Sequence, residues 1–201
     1  MAVKVIDMKC SGCGAPLEPS MTACPYCKRS VVVTSFNDIY ACDLPTLKQY
    51  SRDLTKDLQD GSSPELSGDI KFSIGACYLK LRLYDKAHER FMEAIEEDFN
   101  NPEAPFYAAV TLLNGKRDYF ASMANIKKAM ELVEAAQIIE ERGVFYLFLA
   151  YIKYDFYARK YLRISPDWKE ELSAALKANL SYTDINILFD ILGVECPFNF
   201  S

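Results

Sequence analysis

Gly75-Ala76-Cys77-Tyr78-Leu79-Lys80-Leu81-Arg82-Leu83-Tyr84-Asp85-Lys86-Ala87-His88-Glu89-Arg90-Phe91-Met92-Glu93-Ala94 is the stretch on which the fold turns. Gly75, Tyr78, Ala87, Phe91 and Ala94 fall in it at relative offsets 0, 3, 12, 16 and 19. Small and apolar residues recur here at helical spacing, not at the alternation of a strand. Beyond Phe36 no other segment carries a strong strand signal, and the chain reads as helix after helix.

These offsets resemble the small, aromatic and alanine positions of a tetratricopeptide repeat. The resemblance implies two antiparallel helices, with Leu83-Tyr84-Asp85 at the turn between them. Gly75 and Ala87 would sit where the helices approach closely, Tyr78 and Phe91 would fill the space beside the crossing, and Ala94 would admit the next repeat. The closing proline of the family pattern is displaced to Asn100-Asn101-Pro102, so a longer inter-repeat turn is expected. The match is clear over residues 69–99 and weaker over 103–133, where Phe106, Tyr107, Ala109, Leu112 and Leu113 precede Asn114-Gly115. In that second copy Asp118 is expected to cap the partner helix, which carries Met123, Ile126, Lys127, Ala129 and Met130. Its end is left open, because Glu131 to Arg142 either continues the helix or begins the next. After residue 133 the likeness is architectural, to a superhelix of about three hairpins.

Towards the N-terminus, Asp43-Leu44-Pro45 opens a helix through Leu47, Tyr50, Leu54 and Leu58, which stops near Gly61-Ser62-Ser63-Pro64. Residues 36–64 are read as a helical linker or a cap on the array. Upstream lie two CxxC pairs, Cys10-Ser11-Gly12-Cys13 and Cys24-Pro25-Tyr26-Cys27. Two such turns place four thiolates around one tetrahedral ion and leave no open coordination position, so the expected cofactor is one structural zinc ion held by Cys10, Cys13, Cys24 and Cys27. Iron in the same cage is the substitute. The other reading is two disulfides or metal-free thiols. Against it, the polar start Met1 to Lys9 is unlike a signal peptide, and seven cysteines suit a reducing cytoplasm. The segment resembles short zinc-ribbon modules, which implies a small β unit over residues 1–35. Val3, Val5 and Ile6 suggest a strand leading in, and Val31-Val32-Val33-Thr34 a strand leading out. The helical repeat domain is assigned residues 65–201, making the fold class mostly α with a small β ribbon in front.

Val144 to Leu162 is expected to form one helix crowded with aromatics. Ser165-Pro166-Asp167-Trp168 opens another, with Ser165 as N-cap and Pro166 at the first helical position. A last helix runs from about Thr183 to Leu192 and ends at Gly193. The tail after it has no periodicity, and Phe198 and Phe200 are left either docked or loose. Core packing accounts for most of the aromatic helix. So many tyrosines exceed one buried stripe, however, and Tyr146, Tyr154, Tyr157, Lys160 and Tyr161 are the candidate surface for a protein or peptide partner, with Lys153, Arg159 and Arg163 among them.

The net charge of −5 argues against bulk nucleic-acid binding, and the longest uncharged aromatic-aliphatic run, Val144 to Ile152, is nine residues. A membrane span needs about twenty. Residues 1–35 carry net +2 through Lys4, Lys9, Lys28 and Arg29, leaving −7 for the rest. The single histidine, His88, has no nucleophile or second histidine at catalytic spacing, and no phosphate loop, HExxH or GxSxG is present. Glu93, Glu96, Glu97 and Asp98 read as a solvated helix end. Cys42, Cys77 and Cys196 read as buried thiols. The expectation is a cytoplasmic, non-enzymatic adaptor with no membrane partner. The alternative is a nucleic-acid-associated factor that uses the mildly basic ribbon.

Overall fold

The computed structural model describes residues 8–9, 13, 15–17, 21, 23–28, 31–61, 64–97 and 100–200. It is mostly helical. Near the N-terminus β1 (Met8–Lys9) pairs antiparallel with β2 (Pro16–Leu17), Met8 opposite Leu17. The expected strand over the first residues otherwise lies outside the described residues.

Val31 to Thr34 is not a strand, contrary to its β-branched composition. Its backbone is satisfied by helix side chains instead of a ladder. Val33 N–H donates to the Tyr50 hydroxyl (3.0 Å), and that hydroxyl donates to the Val31 carbonyl (2.5 Å). Ser73 Oγ donates to the Val33 carbonyl (2.6 Å). Buried backbone groups need partners of some kind, and here two hydroxyls supply them.

The helices follow in chain order: α1 (Phe36–Ala41), α2 (Leu44–Gln59), α3 (Ser67–Lys80), α4 (Tyr84–Glu97), α5 (Glu103–Thr111), α6 (Met123–Ile139), α7 (Gly143–Ile152), α8 (Trp168–Lys177) and α9 (Tyr182–Leu192). Asp43 caps α2 by accepting from Thr46 N–H (2.9 Å), as its sequence implies. Successive helices pack in pairs, α3 on α4, α5 on α6 and α7 on α8, and α4 joins the first pair to the second. At the α3–α4 crossing a Cβ on Gly75 would lie 3.0 Å from the Phe91 ring. Ala87, Phe91 and Ala94 are all buried there. A side chain at this position would have to push that ring aside.

Two helix caps differ from expectation, and one helix end left open is fixed. Ser122, not Asp118, caps α6, accepting from Asn125 N–H (3.1 Å), while Asp118 lies buried in a short 3-10 turn. The open segment after residue 130 continues α6 to Ile139. Asp167, not Ser165, caps α8: its carboxylate accepts from Lys169 and Glu170 N–H (2.8 and 3.0 Å), and Glu170 accepts from Asp167 N–H (2.7 Å). This reciprocal box satisfies more orphan amides than a serine two residues earlier could.

The expected single helix over 144–162 also breaks. Its α-helical part ends at Ile152, a π-helical turn covers Lys153–Tyr157, and a 3-10 turn covers Ala158–Lys160. Lys153 and Asp155, two positions apart and so on opposite sides of a helix, are both buried here.

α3, α5 and α7 form a central layer. Every residue from Ala104 to Thr111 and from Leu147 to Ile152 is buried, too much for helices covered on one side. α4, α6 and α8 cover one side. On the other, the Phe36 ring of α1 packs tilted against Tyr107 of α5 (centroids 4.2 Å apart) and its backbone N–H donates to Glu103 (2.7 Å). Phe189 of α9 meets Tyr151 of α7 edge-on. α1 and α9 are themselves joined through Asn37–Asp184 (3.3 Å) and Tyr40–Asp190 (2.7 Å). The tail docks: Phe198 stacks on Trp168 and meets Tyr154. Among the described residues no helix is long and apolar enough to cross a membrane.

Candidate metal centre

Pro25 and Tyr26 lie in a turn that returns the chain so that Lys28 N–H donates to the Cys24 carbonyl (2.9 Å). Lys28 then adopts a left-handed backbone, φ +62°. This tight knuckle sets the Cys24 and Cys27 sulfurs on one side. Cys13 arrives from the first CxxC pair, and the three sulfurs all lie within 4.8 Å of one another. Cys13 Sγ and Cys24 Sγ are 3.6 Å apart.

That distance speaks against a disulfide between Cys13 and Cys24. Sulfurs in a disulfide are about 2.05 Å apart. Thiolates at two corners of a tetrahedron with metal–sulfur bonds of about 2.3 Å are about 3.8 Å apart. The Cys27 backbone N–H, directed at the Cys24 sulfur, holds that thiol below its ordinary pKa, against burial that pushes it up. A lowered pKa favours the thiolate, the form that ligates. Cys13, Cys24 and Cys27 are therefore close enough to hold a metal ion. Cys10, the fourth expected ligand, lies outside the described residues, as do Lys4 and Arg29.

The other cysteines sit apart from this cluster. Cys77 is buried, and burial pushes its thiol up to about 12. Cys42 and Cys196 are half-buried. His88 joins α4 to α5, its Nδ1 lying 2.8 Å from Thr111 Oγ1 and 3.1 Å from the Ala108 carbonyl, and burial lowers its pKa.

The five aromatic and basic residues singled out for a partner do not share one surface. Tyr157 is buried, its hydroxyl against Met123 Sδ (3.8 Å). Tyr154 packs among Trp168 and Phe198. The Tyr146 hydroxyl donates to Glu141 (3.0 Å). Lys160 Nζ lies over the rings of Phe156 (3.6 Å) and Tyr119 (4.9 Å). Tyr161 is 94% exposed on a left-handed backbone. Phe120, which the sequence did not mark, is 74% exposed and packs edge-on to Tyr119. Lys153 is buried in an ion pair with Glu171, not displayed among the tyrosines.

A second polar cluster was missed from sequence. Asp155, turned inward by the π-helical turn, accepts from Tyr119 N–H (2.9 Å) and pairs with Arg117 (2.9 Å) and Arg159 (2.5 Å). Burial pushes its carboxyl up, but those three donors outweigh it and hold the group below the usual range. Asp118 is buried beside it. A charged residue inside the aromatic run Tyr151 to Tyr157 was the available signal for Asp155. Asp118 gave none, since an aspartate after a turn reads as a cap.

No family model matches the chain, and no curated protein or solved structure matches it.

Proposed function

We propose that the protein is a non-enzymatic adaptor: a tetratricopeptide-like array of helical hairpins preceded by a structural zinc ribbon. The observation that carries the reading is the sequential pairing of α3–α4, α5–α6 and α7–α8, with a glycine-to-phenylalanine crossing in the first pair. Packing between chain neighbours is the mark of repeat arrays, whose surfaces hold other proteins. Zinc, with Cys10 as fourth ligand, closes the cage of Cys13, Cys24 and Cys27. Its chemistry there is structural, fixing the ribbon's two turns with about 10–16 kcal/mol of binding energy that a 35-residue unit lacks in apolar burial.

The cover that α1 and α9 provide supports an outward-facing surface for a partner. They cover the side of α3, α5 and α7 that an open array would offer to a peptide. On this reading recognition falls on the outside, at the exposed rings of Phe120 and Tyr161 and the half-buried Lys160. An acidic, partly apolar peptide meets both charge and rings there.

The test is capture from nuclease-treated extract by the intact protein, a Phe120→Ser/Tyr161→Ser variant and a Cys24→Ser variant. A protein held by the intact chain and the cysteine variant but lost by the surface variant supports the adaptor reading. Capture abolished by nuclease, or by Cys24→Ser alone, would move recognition to the ribbon and its basic residues.

A further inference from the structure

After α9 the chain turns at Gly193, left-handed at φ +67°, and runs as an irregular segment to Phe200. Its side chains alternate: Val194, Cys196, Phe198 and Phe200 are half-buried, and Glu195, Pro197 and Asn199 are exposed. Such alternation is the habit of an extended chain laid on a surface, with every second residue set into it. What it meets is an aromatic slot. Trp168 at the start of α8 and Tyr154 of the π-helical turn stand edge-on, ring centroids 5.3 Å apart. Phe198 meets both, stacked on Trp168 (5.7 Å, 16° between planes) and edge-on to Tyr154 (5.7 Å). The Phe200 ring follows 6.5 Å from Phe198, and the Phe200 carbonyl accepts from the Tyr182 hydroxyl (3.2 Å).

Two observations set this segment apart from the core. No residue from Gly193 to Phe200 is fully buried. Gly193 to Cys196 also borders two cavities, of about 400 Å³ against α9 and about 430 Å³ against Tyr151 and Asp155. Protein interiors are close-packed, so a segment flanked by voids of that size is laid on the fold and not built into it. The groups seated in the slot are two phenyl rings and a backbone carbonyl, which any Phe-x-Phe segment carries. We propose that the slot of Tyr154 and Trp168 is a binding site for an extended peptide bearing Phe-x-Phe, and that residues 194–200 are a strap that fills it until such a peptide displaces them. A tethered strap competes at an effective concentration of roughly millimolar order, and so screens out weak ligands. The proposal does not rest on the adaptor reading, because it concerns a slot filled from within this chain, whatever Phe120 and Tyr161 bind.

Trp168 is the only tryptophan of the chain, so its fluorescence reports the slot directly. In the intact chain, Phe198→Ser/Phe200→Ser should shift that emission to the red while helical circular dichroism is retained. A synthetic peptide of residues 194–200, Val-Glu-Cys-Pro-Phe-Asn-Phe, should shift it back with saturation, and the same peptide with serine in place of both phenylalanines should not. The parent, whose own strap competes, should need about tenfold more peptide. Phe198→Leu keeps an apolar side chain and removes only the ring stack; it should bind the peptide more tightly than the parent, which covers the case of a double variant that fails to fold. No saturable shift in either variant up to about 10 mM peptide, or an equal response to the serine peptide, would overturn the proposal. So would a parent that sediments as a dimer and is split by the peptide, since the slot would then belong to a second copy's strap.

Discussion

Removing one member of the Lys153–Glu171 pair should do more damage than removing both. The two side chains are 4% and 7% exposed and bond each other between the π-helical turn and α8. Glu171→Gln leaves a buried ammonium without its counter-charge, and Lys153→Met leaves a buried carboxylate. Breaking a buried pair from one side costs about 3–5 kcal/mol, whereas replacing both members with apolar residues of similar volume is often neutral or stabilising. A domain of this size is stable by about 5–15 kcal/mol, so each single change should consume about a fifth or more of the total. Lys153→Met/Glu171→Leu should return to within about 1 kcal/mol of the parent. Urea unfolding followed by circular dichroism reads this as a shift of midpoint at unchanged slope. The reasoning is refuted if the single variants each lose under about 1 kcal/mol, or if the double variant loses the sum of the two.

Two further outcomes follow from the same geometry. A Cβ on Gly75 meets the Phe91 ring at 3.0 Å, so Gly75→Val should destabilise by about 2–3 kcal/mol, and Phe91→Leu in the same chain should recover part of that, measured by urea midpoint. Burial, then the Asp155 charge, raises the Asp118 carboxyl well above its ordinary value. A carboxyl whose folded pKa is raised contributes stability below the unfolded value of about 3.9 and loses it as pH rises towards the folded value. Asp118→Asn, which cannot ionise, should therefore match the parent near pH 4 and exceed it by a widening margin towards neutrality. A margin that is flat with pH would contradict the raised pKa.

Much of the helical half was legible because its signals are local. Asp43 before Leu44-Pro45 marks a cap, Gly193 ends α9 in a left-handed turn at φ +67°, and Gly75 with Ala87 and Phe91 marks a close crossing. Where the reading failed, tertiary contacts decided. Val31 to Val33 has the composition of a strand, but Tyr50 and Ser73 reached its backbone from helices distant in sequence. Asp118 looked like a cap, and Ser122 took that place because the intervening turn carried Asp118 inward. The aromatic run from Val144 gave no sign of a π-helical turn, which accompanies the inward placement of two charges whose partners, Glu171 and Arg117, are 18 and 38 residues away. The second layer formed by α1 and α9 rests on bonds between residues almost 150 positions apart, such as Asn37–Asp184 and Tyr40–Asp190, and no periodicity reports those. At the candidate metal centre the CxxC spacing marked the cysteines, and the structure adds what spacing could not, that Cys13, Cys24 and Cys27 come close enough to hold an ion, with the Cys13 and Cys24 sulfurs 3.6 Å apart and not at disulfide distance.

Metal analysis of the intact protein, purified under reducing conditions, tests the central claim most directly. The account predicts one zinc ion per chain, retained through gel filtration, and lost in Cys24→Ser while the helical circular dichroism of α2 to α9 persists. Parent protein carrying neither zinc nor iron, with its cysteines titrating as ordinary thiols, would contradict it.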